Sequence, residues 1–193
     1  MADGVFRGKK ATLYAKHTDS SLSAKRTDRL IAKLLRPNKK IADLGCGSGR
    51  TLSLLSEIST EVLGVDLSKE LIKICRSKQI PNSKFYHADL SDTPLEDDYF
   101  DYVIMKQSLH HIEDQSPALA EAHRILKPGG NLIILDRFKM PFTGFLNDCI
   151  HFFKHLLRGS PKWPKHYLKT KDELIEDFNS LFDLKFFKVY SRG

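Results

Sequence analysis

Three glycines within five residues, Gly45, Gly47 and Gly49, sit in the run DLGCGSG (43 to 49), between an apolar stretch and a helical one. Glycines there free the backbone for left-handed conformations and let a ligand approach closely. The start of the following helix can receive a carboxylate or a phosphate. Arg50, Thr51 and Leu52 follow, so neither the Lys-Ser/Thr of a phosphate-binding NTPase loop nor the third glycine of a dinucleotide fingerprint is in place. Seventeen residues after Gly49, Asp66 closes GVD. A carboxylate at that place can accept two hydrogen bonds from a ribose, and it can also cap a helix. Asp89, in HADLSD, has the same two readings, a crevice contact or a turn. His110 and His111 are adjacent. They are candidates for general-base work, beside the ordinary reading of a hydrogen-bonded pair at a helix start or in the core. No third ligand stands near them, and His151 and His155 lack the HExxH glutamate, so no metal site is expected.

These residues need a scaffold that brings them together. Ile41 to Leu44, EVLGVD (61 to 66), KFYHAD (84 to 89), FDYVIM (100 to 105) and NLIILD (131 to 136) read as strands. Between them lie helical patterns over RTLSLLSEI, over KELIKICRSK with Ser68 as its cap, and from Pro117 to Leu126 up to KPGG. Ser23 to Leu35 reads as an earlier helix, ended by Pro37. The rhythm predicts an α/β fold: a doubly wound, mostly parallel, Rossmann-like sheet with helices on both faces. Its ligand crevice would lie outside the carboxyl ends of the strands, where Gly45 to Gly49, Asp66 and Asp89 all fall.

The chain has 193 residues, 41% hydrophobic and 28% charged, which suits one domain with a substantial core. Collagen-like, disordered and disulfide-stapled classes are excluded. Its formal charge of +7 favours anionic partners without naming one. Much of that charge lies at the N-terminus and after residue 137. The three cysteines, Cys46, Cys75 and Cys149, are far apart in sequence. Reduced thiols and a cytoplasmic location are expected, since MADGVFRGKK has no signal-like apolar core. No apolar run is long enough to span a membrane.

The ordered set DLGCGSG, GVDLS (64 to 68), HADLSDTPLEDDYFD (87 to 101), SLHHIED (108 to 114) and RILKPGGNLII (124 to 134) resembles the class I S-adenosylmethionine-dependent methyltransferases. Within them it is most similar to the type 11 subgroup of quinone-biosynthesis and small-molecule enzymes. The resemblance covers residues 38 to 136 well and the remainder weakly. It implies S-adenosyl-L-methionine as cofactor. Gly45, Cys46 and Gly47 would lie beside its methionine part, and Asp43 would orient the loop and the amino group. Asp66 would hold the ribose hydroxyls, with Leu67 by the adenine. Asp89 would meet the adenine amino group, with Leu90 beside the ring. Lys106 and Gln107 would form the lip where cofactor and acceptor meet. Lys106, His110 and His111 are then the catalytic candidates.

Methyl transfer of this kind is an in-line displacement, helped chiefly by alignment, with a base only where the nucleophile must lose a proton. The acceptor is expected to be small and partly apolar, with RNA or protein as alternatives, and an inactive interaction protein of the same fold as a third reading. MKQS (105 to 108) replaces the [DN]PP[YFW] tetrapeptide of enzymes acting on exocyclic base nitrogens. No cysteine has the Pro-Cys setting of pyrimidine C5 enzymes.

The expected organisation is one domain over 1–193. It comprises a helical arm (1–37), a cofactor-binding core (38–136), a substrate cover (137–169), and a last helix and strand (170–193). The cover mixes Phe138, Phe142, Phe145, Phe152, Phe153 and Trp163 with lysines, as an apolar pocket with polar anchors would. The family sheet has seven strands. Here a sixth ends at Tyr190 and no seventh is visible, which leaves homo-oligomerisation through the sheet edge open.

Overall fold

A computed structural model describes residues 6–136, and the features expected over 137–193 lie outside the described residues. The chain opens with two helices, α1 (Gly8–Ser20) and α2 (Leu22–Leu34), joined through Ser21. Ser21 is extended, and its side chain accepts a hydrogen bond from the Ala24 amide, so one residue ends α1 and caps α2. α1 is not apparent from apolar periodicity. Its buried face consists of two alanines, Ala11 and Ala15, which pack on Leu71 together with Phe6 and Tyr14.

Five strands follow: β1 (Lys40–Leu44), β2 (Glu61–Asp66), β3 (Ser83–His87), β4 (Phe100–Lys106) and β5 (Leu126–Leu135). They form one sheet in the order β3-β2-β1-β4-β5, and every pair is parallel. β1, β2 and β4 are almost wholly buried, which suits strands covered on both faces. The crossover helices are α3 (Arg50–Leu55), α4 (Lys69–Ser77) and α5 (Ser116–Ile125). Right-handed crossovers place α3 and α4 on one face and α5 on the other, because the strand order reverses direction at β1. The fold is the doubly wound α/β class expected from the alternating pattern.

Two local readings are corrected. Lys127 to Gly130 does not end the structure between α5 and the last strand. The strand already pairs at Leu126 with Phe100, and a bulge absorbs the Pro-Gly-Gly residues before pairing resumes at Asn131 with Tyr102. The helix after the glycine run stops at Leu55, earlier than the sequence pattern suggests. By contrast Ser68 caps α4 as expected, its side chain accepting from the Leu71 amide at 3.2 Å.

Candidate active site

The strand order reverses at the carboxyl ends of β1 and β4, the place where such sheets bind ligands. β1 delivers Asp43 and then the glycine loop into it. Gly45 has φ +89, and a Cβ there would lie 2.5 Å from the Ser108 Cβ, so the loop and the end of β4 touch with no room for a side chain. Ser108 is fixed in turn by donating to the Leu44 carbonyl at 3.1 Å. Gly47 has φ +56 and lies under the Tyr14 ring, which an added Cβ would approach to 3.6 Å.

The loop amides are not left facing outward. Gly45 and Cys46 both donate to the Val65 carbonyl, at 2.8 and 3.0 Å, and Gly49 donates to the Cys46 carbonyl at 2.9 Å. Gly47 donates to Asp66 Oδ2 at 2.9 Å, while the Ser68 amide donates to Asp66 Oδ1 at 2.8 Å. Asp66 therefore ties the glycine loop to the start of α4. Each of its oxygens has a second lone pair able to accept a further hydrogen bond. Burial raises its pKa against the opposing pull of those two amides.

Asp43 is 1% exposed, and its Oδ1 has no hydrogen-bond partner. Burial is the chief reason its pKa rises to about 7, opposed by the Lys106 ammonium. A buried carboxylate oxygen without a donor is costly and calls for one. A ligand bearing an amino group, brought up against the glycine loop, would supply it. The residues present thus fit the methionine end of S-adenosylmethionine at Asp43, whose Oδ1 would take the amino group.

The remaining candidates separate into groups. Leu90 is buried and lies beside Gly45, whereas Leu67 is half-buried at the end of β2. Asp89 is exposed, and its Oδ1 accepts from both the amide and the hydroxyl of Ser91, at 3.0 and 2.7 Å, which is the turn reading of that residue. The Cys46 side chain turns into the core. Its thiol would meet a Cβ at Gly64 at 2.8 Å, so any cofactor contact from Cys46 is through its backbone. A hydrogen bond with Cys75, ahead of burial, pushes the Cys46 thiol well above its usual pKa.

Lys106 reaches into the protein. Its Nζ lies 2.5 Å from Asp28 Oδ1 and donates to Thr51 Oγ1 at 2.6 Å, and Thr51 also donates to Asp28 Oδ1 at 3.0 Å. Arg50 pairs with the other oxygen of Asp28. One buried aspartate from the arm thus holds two cations, one from the helix after the glycine loop and one from the end of β4. The sequence reading missed Asp28. A signal existed, because Asp28, Ile31 and Leu35 fall on the one buried stripe of α2.

His110 sits in a single 3₁₀ turn, Leu109–His111, just past β4. Its Nδ1 lies 2.5 Å from Asp136 Oδ1, and its amide donates to Asp136 Oδ2 at 3.3 Å. Both side chains are almost fully buried. His111 stacks obliquely on His110, with ring centroids 4.0 Å apart. Asp136, at the end of β5, was not visible as a partner from a sequence separation of 26 residues.

Tyr14 completes the site from the arm. Its ring stacks on Phe6 at 4.1 Å, and burial, followed by the nearby Asp66 charge, pushes its hydroxyl up to about 12. Asp19, one turn further on, accepts from Ser48 of the glycine loop at 2.8 Å and pairs with Lys78 at 2.7 Å. Among the described residues no group of three or more His, Cys, Asp or Glu could hold a metal ion, and no helix is long and apolar enough to cross a membrane.

Residues 42–134 match the family model described as a methyltransferase domain. The sheet order and the position of the glycine loop agree with that match. Among curated proteins the chain is similar to the demethylmenaquinone methyltransferase of Staphylococcus aureus, 31% identical over 144 residues, covering 72% of this chain and 58% of that protein. The chain thus spans less than two thirds of the length of that relative. Among solved structures it is similar to the YcgJ protein of Bacillus subtilis, with TM-score 0.69, 24% identity and coverage of 81% of this chain and 67% of that one. It is also similar to the [4+2]-cyclase SpnF, with TM-score 0.65, 23% identity and coverage of 82% and 56%. A cyclase on the same scaffold shows that this fold does not fix the reaction.

Proposed function

We propose that this protein transfers the methyl group of S-adenosylmethionine to a small, partly apolar acceptor. The observation that carries the reading is Asp43, a buried carboxylate with one oxygen lacking a donor, set against the glycine loop at the strand-order reversal. The cofactor, when bound, supplies an activated methyl on a sulfonium. The chain's own part is alignment: Asp43 for the amino group, Asp66 for the ribose, Gly45 and Gly47 to let Ser108 and Tyr14 pack on the loop, and Tyr14 and Asp19 to close the arm over it.

Where the acceptor must lose a proton, His110 is the group to take it. Asp136 holds its ring in place through Nδ1 and through its backbone amide. Lys106 then acts through Asp28 and Thr51, holding the end of β4 and the start of α3 in register. An acceptor of the demethylmenaquinone kind is the first to assay, on the similarity to the S. aureus enzyme. The test is calorimetric titration with S-adenosylmethionine and with S-adenosylhomocysteine, followed by methyl-transfer assays on hydroquinone acceptors. Absence of cofactor binding would overturn the whole reading. Cofactor binding with transfer only to RNA or protein would overturn its acceptor half.

A further inference from the structure

The two N-terminal helices hold a feature that cofactor binding does not use. Residues 6–36 carry nine basic side chains, Arg7, Lys9, Lys10, Lys16, Lys25, Arg26, Arg29, Lys33 and Arg36, against two acidic ones. All nine are exposed, and among the described residues none is in an ion pair. The two acids, Asp19 and Asp28, are turned inward on Ser48, Lys78, Arg50 and Lys106. Neither offsets the outward charge locally.

The same helices bear the exposed large hydrophobic residues of the described chain: Leu13 at 66%, Leu22 at 75% and Leu34 at 51%. At helical spacing Leu13 shares its face with Lys9, Lys10 and Lys16, opposite the buried Ala11 and Ala15. Leu22 shares its face with Lys25, Arg26, Arg29 and Lys33, opposite the buried Ile31. Each helix thus presents a leucine ringed by cations. A solvated face explains the lysines but leaves the leucines in water. A single-stranded nucleic-acid site would want exposed aromatic rings for stacking. Here Tyr14 is turned inward onto Gly47 and Phe6 stacks on it. Cations that meet headgroups around a side chain that enters the acyl boundary describe an interfacial helix.

We propose that the outer face of α1 and α2 docks on an anionic lipid bilayer surface. The inference stands on these two helices and does not require the transfer reaction. It is tested with the full chain by co-sedimentation with vesicles of phosphatidylcholine alone and of phosphatidylcholine with about a third phosphatidylglycerol. The expected result is retention on the anionic vesicles only, falling with salt. Neutralising Lys9, Lys16, Arg26 and Lys33 together to glutamine should lower partitioning by at least tenfold, each cation near a charged surface being worth about fivefold. Leu13→Ser with Leu22→Ser should lower it several-fold more while leaving the salt dependence in place. S-adenosylmethionine titration of the same variants, expected to match the parent, reports that the fold and the site are intact. Equal binding to neutral and anionic vesicles, or none to either, overturns the proposal. So does tighter binding to a single-stranded oligonucleotide that is indifferent to the leucine replacements.

Discussion

The N-terminal arm and the sheet it covers are oppositely charged. The arm has nine basic residues to two acidic over 6–36, whereas residues 41–136 have nine basic to fifteen acidic. A single figure of +7 for the chain conceals an acidic core beneath a basic cover. The exceptions to each sign carry the structure. The arm's two acids are its anchors into the core, and the core's Arg50, Lys78 and Lys106 are what they hold. In the arm, the charges that disagree with their surroundings mark contacts, and those that agree mark a surface.

The largest test of that contrast is Asp28→Ala. It leaves Arg50 and Lys106 partly buried without their carboxylate, and a loss of about 3–5 kcal/mol is expected from denaturant unfolding. A loss under 1 kcal/mol would mean the arm is not anchored through this residue. Gly45→Ala comes next. It forces a side chain into positive φ and onto Ser108, for an expected loss of roughly 2–4 kcal/mol with cofactor binding abolished. Normal cofactor titration in that variant would contradict the close approach of loop and β4. Asp66→Ala should weaken the cofactor on the order of 10–100-fold, since it removes hydrogen bonds made by a charged acceptor.

Asp43→Asn separates binding from folding. The folded carboxyl has a pKa of about 7 against an ordinary 3.8, so the native state holds its proton more tightly than the unfolded chain. That contribution to stability is fully present below about pH 4 and is lost as the pH rises through about 7. The asparagine variant should therefore match or exceed the parent in melting temperature at pH 8 while binding cofactor poorly. In the parent, affinity for the ammonium-bearing cofactor should climb with pH up to about 7 and then level off. The smallest effect is Lys25→Gln on the arm's outer face, within about 0.5 kcal/mol in stability. A larger change would mean this face is packed against something within the protein.

How much of this the sequence disclosed follows the same division. Strands buried on both faces advertise themselves as apolar runs, and the glycines and Asp66 fall at strand ends by their spacing, so the sheet and the loop that Asp66 ties down were legible. α1 was not, because two alanines make a flat contact that leaves no apolar stripe to detect. β5 began too late in the reading because a Pro-Gly-Gly bulge looks like a terminator until its partner strand is known. Asp28 and Asp136 were hidden for a different reason. Their roles are set by Lys106 and His110, 78 and 26 residues away, and no local pattern encodes such pairings.

The strand order also has a consequence in time. β1 is made first and ends at the centre of the sheet, yet its second neighbour, β4, begins some sixty residues later, at Phe100. Gly45 gains its contact with Ser108 only when β4 has docked, and β1–β4 is a pairing of high sequence separation, the slow kind. The glycine loop therefore gains this contact only after long-range pairing, although it is synthesised early. In a refolding experiment, competence to capture the cofactor should lag behind the appearance of helical signal, and it would serve as the marker that the sheet has closed.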